Sequence, residues 1–130
     1  MKNLSTLHAT EYAWIGDAVI TQHVRAYLLK NTDYKVNSLQ RESKKYVAAT
    51  AQSKMLQEIF PALTEAEQTI CKRGRNAHTG HAAKNAAIED YKAATALEAL
   101  VGWLYLTENT ERLEWVLCQI IAIGEGIGVK

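Results

Sequence analysis

One proline, seven glycines and two cysteines in 130 residues leave little material for tight turns or cross-links. A sandwich or barrel of short strands needs more turn residues, and a collagen-like or disordered chain needs a different composition altogether. Cys71 and Cys118 are too few and too isolated to frame a disulfide scaffold, and they fit a reducing, intracellular setting. No apolar run reaches the ~18–20 residues of a membrane span. The N-terminal MKNLSTLHATEY also lacks the apolar stretch of a signal peptide, so a cytoplasmic protein without membrane contact is expected. Charge of one sign is missing too. Fifteen Lys and Arg face 14 Asp and Glu, and a net charge of +1 by itself argues against nucleic acid as a partner.

What is present is apolar residues, 48% of the chain, at helical spacing nearly throughout. No internal repeat, linker or composition break divides residues 1–130, which predicts a single all-α domain, a helical bundle. Ala13, Ile20, Val24 and Tyr27 share one face of a helix from about Thr10 to Leu29. A second helix is predicted from near Asn37, where Asn37 and Gln40 have capping-box spacing, to Phe60 before Pro61. Thr64 and Glu67 repeat the box and open a helix that Gly74 can close. Residues 75–86 are small and polar and read as a loop. Ile88 to Leu106 is the strongest helical pattern, and Asn109 to about Ile123 turns Leu113, Val116, Leu117, Ile120 and Ile121 inward.

Two acids fall on apolar faces. Asp17 lies at the step between Ala13 and Ile20, and Glu98 lies among the apolar positions of AATALEALVGWLYL. An ionised carboxylate inside a bundle costs several kcal/mol unless a cation, a donor network or water meets it. Either acid could sit at the rim of its face or pair with Arg or Lys. Together they could instead hold a hard, oxygen-seeking cation such as magnesium between facing helices. Zinc is not indicated, since of His8, His23, His78 and His81 only the last two are close, in a loop without a cysteine pair. Phosphate-loop and nucleophile-elbow motifs are absent.

AWIGDAV at Ala13–Val19 resembles the signature helix of the ribonuclease III catalytic domain. ATALEALVGWLYL at Ala94–Leu106 resembles that family's second acidic helix, D-x-x-E-A-L-I-G-x-x-Y-L, and KRGRNA at Lys72–Ala77 sits at its Gly-containing polar stretch. The likeness covers essentially the whole chain and is closest to the short bacterial form, Mini-ribonuclease III, which lacks a separate double-stranded-RNA-binding domain. It implies the ribonuclease III endonuclease fold and a homodimeric, magnesium-dependent endoribonuclease, with manganese able to substitute. Such an enzyme would cut double-stranded RNA to leave 5′-phosphate ends, in maturation of the 23S ribosomal RNA precursor. It makes Asp17 and Glu98 the catalytic, metal-binding pair. Two further signature acids correspond here to Thr10 and Ala13, and the Asp three residues before Glu98 is Thr95. The reduced set argues against a second tightly bound metal. It also leaves open a catalytically inactive RNA-binding module of a ribonucleoprotein, or a metal-free helical interaction module. Trp14 matches a knob at the family's dimer interface, or is an ordinary core aromatic. Gly16 and Gly102 would permit close helix approach at the site, or serve packing alone.

The near-zero net charge hides a segregated distribution. Residues 35–56 carry a net +4 and residues 72–92 a net +3, so ten of the fifteen cations lie in two segments. Duplex RNA is gripped mainly through phosphates and 2′-hydroxyls, which spaced cations and amides can reach. Arg41, Lys44 and Lys45, with Gln52 further along, form one candidate RNA-binding group. Lys72, Arg73, Arg75, Asn76, Lys84 and Asn85, with His78 and Thr79 between, form the other. Either run could equally be a solvated face, and Lys72–Arg73 also complements a helix dipole.

Overall fold

The structure is a computed structural model that describes residues 2–77 and 86–128. Six α-helices make up the described chain: α1 (Ala9–Asn31), α2 (Val36–Val47), α3 (Ala49–Ile59), α4 (Glu65–Asn76), α5 (Ala86–Leu106) and α6 (Thr110–Gly124). No strand occurs among the described residues. The expectation of an all-α bundle holds. No described helix is long and apolar enough to cross a membrane.

Helix α5 is the axis of the bundle. Ala93, Ala96, Leu97, Ala99, Leu100, Val101 and Leu104 are buried around its circumference, because α1, α3, α4 and α6 all pack on it. Its apolarity on every side, which gave the strongest helical pattern in the chain, follows from that central place. On α1 the buried stripe runs Tyr12, Ala13, Gly16, Ile20, Val24 and Leu28.

Three local expectations are corrected. The helix expected to run unbroken from Asn37 to Phe60 is two helices, interrupted at Ala48, whose backbone is extended (φ −64°, ψ 148°). At ~100° per residue, a continuous helix would turn Met55, Leu56 and Ile59 roughly 80–180° away from Tyr46. All four are buried, and the break lets both faces point inward. Second, Asn37 and Gln40 form no capping box: α2 begins one residue earlier, after Lys35, without a side-chain cap. Third, Gly74 does not close α4. It is buried in the last turn of a helix that continues to Asn76, and a Cβ there would come within 2.8 Å of the Ala96 Cα.

The Thr64–Glu67 box forms as expected, with Glu67 N–H donating to Thr64 Oγ1 (3.1 Å) and Thr64 N–H to Glu67 Oε1 (2.8 Å). Glu67 is buried and does more than cap. Arg112 of α6 donates to both its carboxylate oxygens at 2.8 Å while stacking 4.4 Å over the Trp115 ring, which ties α6 to the start of α4. Burial alone would raise the Glu67 pKa. The hydrogen bonds from Arg112 and Thr64 outweigh it and hold the carboxyl below the usual range.

Candidate active site

Helices α1 and α5 cross with their backbones in close contact. A Cβ on Gly16 would lie 1.8 Å from the Glu98 carbonyl oxygen and 2.9 Å from the Gly102 nitrogen. Reciprocally, a Cβ on Gly102 would lie 1.8 Å from the Tyr12 carbonyl oxygen. Only two glycines facing each other permit backbone to touch backbone there. The close approach brings Asp17, next to Gly16, against Glu98, one turn before Gly102.

The two acids do not share the buried stripes that helical spacing assigned them. Asp17 is exposed and Glu98 half-buried. Asp17 is ~60° round α1 from Ile20, on the side away from Gly16 and Tyr12, so it stands at the shoulder of the stripe. Together the pair forms the lip of a cleft rather than a sealed core site. The Glu98 pKa is pushed up to about 8, first by burial and then by the hydrogen-bonding and negative charge of Asp17. Every one of these contributions raises it, and neither acid is in an ion pair among the described residues.

A divalent cation fits this arrangement. The donors are carboxylate oxygens, one side is open to solvent, and the pair lacks a counter-charge. Among the described residues no group of three or more His, Cys, Asp or Glu side chains that could hold a metal ion exists, so within them these two carboxylates would be the protein ligands and water would take the remaining positions. Magnesium tolerates this, because it keeps several waters. The places of the family's other acids, Thr10, Ala13 and Thr95, hold no carboxylate. Ala13 is buried, and the buried Thr95 donates its hydroxyl to the Tyr91 carbonyl (3.0 Å). Glu11 accepts from the His8 N–H (2.9 Å).

Trp14 is 82% exposed, which rules out an ordinary core aromatic. Beside it lies a hollow lined in part by Leu4, Leu7, Ile15 and Leu106. Arg41, Lys44 and Lys45 are exposed along α2, with Lys45 paired to Glu42 (2.8 Å) and Arg41 bonded to Ser38. Gln52, grouped with them by spacing, is buried in the core at 1% exposure and cannot touch RNA. The KRGRN segment divides. Lys72, Arg73 and Asn76 face the start of α1, whereas Arg75 pairs with Glu89 of α5. Lys84 and Asn85, with His78 and Thr79, lie outside the described residues. Thr10 and Thr69 line the same hollow as Lys72, a grouping that the sequence did not suggest. The one signal for Thr10 is its seven-residue step to Asp17, which puts both on one face of α1.

Comparison with known proteins agrees with this geometry. The Ribonuclease III domain family matches residues 10–109. The chain is 45% identical over 114 residues to the Mini-ribonuclease 3 of Brevibacillus brevis, covering 88% of this chain and 85% of that one. It is 45% identical over 117 residues to that of Symbiobacterium thermophilum (90% of each chain). Over 123 residues it is 40% identical to that of Staphylococcus aureus (93% and 92%). A crystal structure of a Fusobacterium nucleatum protein superposes with a TM-score of 0.82 at 31% identity, over 96% of this chain and 99% of that one. With that family's fold, its two acidic helices crossing at paired glycines and relatives of its own length, this chain belongs to the ribonuclease III family, on its Mini-ribonuclease III branch, and is an endoribonuclease.

Proposed function

We propose that the chain is a magnesium-dependent endoribonuclease of double-stranded RNA, acting as a cytoplasmic homodimer in maturation of the 23S ribosomal RNA precursor. Asp17 and Glu98 would hold the metal and serve catalysis. The observation that carries this reading is the pair of facing carboxylates at the α1–α5 crossing, neither of them in an ion pair among the described residues. When bound, magnesium supplies Lewis acidity at a phosphodiester and makes water a nucleophile near neutral pH. The chain's own part is placement. The glycine-to-glycine crossing fixes the separation of the two carboxylates, and the exposed flank of Asp17 leaves room for a strand. Glu98 must give up its proton before its oxygens can serve as ligands.

The test is a time course on a long RNA duplex with magnesium, with manganese and with chelator, beside a single-stranded control. Cutting of duplex is expected with either metal, and none in chelator. Persistent cutting in chelator would overturn the metal reading, and preference for the single strand would overturn the duplex one. At limiting magnesium the rate should rise with pH as Glu98 loses its proton and level off above about 8. Higher magnesium should move the rise to lower pH, because metal and proton compete for one carboxylate. A flat profile at limiting magnesium would remove Glu98 from the ligand set.

The dimer reading rests on Trp14 and its neighbouring hollow. A tryptophan at an interface centre is commonly worth ~2 kcal/mol or more, which is ~30-fold or more in dissociation constant. Trp14→Glu should therefore sediment at the mass of one chain where the unaltered protein sediments at two. An unchanged sedimentation coefficient would move the interface elsewhere.

A further inference from the structure

The face of α4 turned toward the start of α1 forms a second polar hollow, apart from the carboxylate pair. Thr69, Lys72, Arg73 and Asn76 fall at steps of three, four and seven along α4 and, with His8 and Thr10, line a space of about 580 Å³. Among the described residues no Asp or Glu lines it. Among the described residues Lys72 has no ion pair, and neither the Asn76 amide nor the Thr10 hydroxyl has a hydrogen-bond partner. By contrast Lys45, Arg75 and Arg112 are each matched to a glutamate. Arg73 donates to the Leu7 carbonyl (2.7 Å) and stands 6.0 Å over the Tyr12 ring, which anchors its guanidinium at the rim with further N–H groups to spare. Glu11 is kept at the His8 N–H, and the Thr69 hydroxyl is turned back to the Glu65 carbonyl.

Two cations, an amide and a hydroxyl converging without an acid is the donor set of a phosphate site. Its position gives it a role. Thr10 precedes Asp17 by seven residues, which is about 10 Å along α1 and within ~20° of the same face. A strand lying on that face reaches both places.

We propose that this hollow binds a backbone phosphate of the cleaved RNA, a few nucleotides from the scissile bond, and thereby fixes the register of the cut. The inference rests on the duplex-RNA reading and adds to it a defined subsite. Lys72 is its charge and Asn76 and Thr10 are its neutral donors.

Two measurements on the full chain test it. In the first, inorganic phosphate is titrated and the backbone amide resonances of Thr10, Lys72 and Asn76 are followed; saturable shifts at these positions are expected. In the second, duplex binding is measured across a salt series for the unaltered protein, Lys72→Ala and Lys54→Ala. Lys54 is an exposed cation that does not line the hollow. Lys72→Ala should make the slope of log affinity against log salt shallower by ~1 and scatter the cut positions, with an unchanged melting temperature. Lys54→Ala should do neither. Phosphate shifts with an unaltered salt slope in Lys72→Ala would overturn the RNA assignment and leave a site for another phosphate. Absence of both effects would overturn the site altogether. Failure of the unaltered protein to bind duplex would refute the duplex reading, and with it the RNA role of the hollow, while the phosphate titration separately decides the site.

Discussion

Glu98→Gln should abolish cleavage, by ~10²–10³-fold or more, the usual cost of removing one charge-stabilising group from an active site. Duplex binding should stay within a few-fold, because the amide keeps the shape of the side chain and the proposed phosphate contacts lie elsewhere. Stability should move the other way. The Glu98 pKa is about 8 in the folded chain against an ordinary 4.5, so at neutral pH the folded state holds a proton that the unfolded state has lost. For an acid raised in this way, folding is least penalised below its unfolded pKa, and stability falls as pH climbs toward the folded value. The glutamine has no such penalty. In chelator at neutral pH it should be more stable, by of the order of 1–3 kcal/mol, the cost of a poorly solvated polar group. At acid pH the difference should vanish.

Asp17→Asn separates catalysis from this burial effect. Its side chain is exposed, so cleavage should fall as far as in Glu98→Gln while thermal stability in chelator changes little. Two variants with equal loss of cutting and unequal melting temperatures would place both acids in the reaction and only one of them against the core. A Glu98→Gln protein that melts lower at neutral pH, or that still cuts at a tenth of the normal rate, would contradict this picture.

What could be read from the residues alone followed the range of the interaction. The Thr64–Glu67 box is settled within one turn of chain, and it formed as read. Asp17 and Glu98 stood out because their neighbours are apolar. Their exposure did not, because a helical wheel cannot distinguish the middle of a stripe from its shoulder until the crossing helix is in place. The interruption at Ala48 carries no Pro or Gly. It exists because Tyr46 and Met55 must both face inward, which is a tertiary demand. Gly74 looked like a stop because glycine commonly is one; its reason is the Ala96 backbone, twenty-two residues further along. That Lys72 of α4 and Thr10 of α1 line one hollow has no local signature at all.

Gly16→Ala should be, with its reciprocal Gly102→Ala, among the most damaging methyl groups that can be added to the described chain. Its Cβ would sit 1.8 Å from the Glu98 carbonyl oxygen, and no rotamer change relieves a clash with backbone. Overpacking a core with a methylene costs ~1–3 kcal/mol when side chains can shift. Here α1 and α5 must separate, so the loss belongs to the exceptional class of ~4–5 kcal/mol or more, out of a total of about 5–15. For a chain of this size that is a fall of the order of 10–20 °C in melting temperature, or failure to fold. The damage would also reach chemistry, because the same crossing sets the distance between the Asp17 and Glu98 carboxylates. Whatever Gly16→Ala protein folds should therefore cut less than its folded fraction predicts. Gly74→Ala is the comparison. Its Cβ would meet the Ala96 Cα at 2.8 Å, a milder conflict that leaves the α1–α5 crossing untouched, so it should lose stability and keep more of its activity per folded molecule. Equal activity per folded molecule in both variants would mean that the crossing distance does not govern the site.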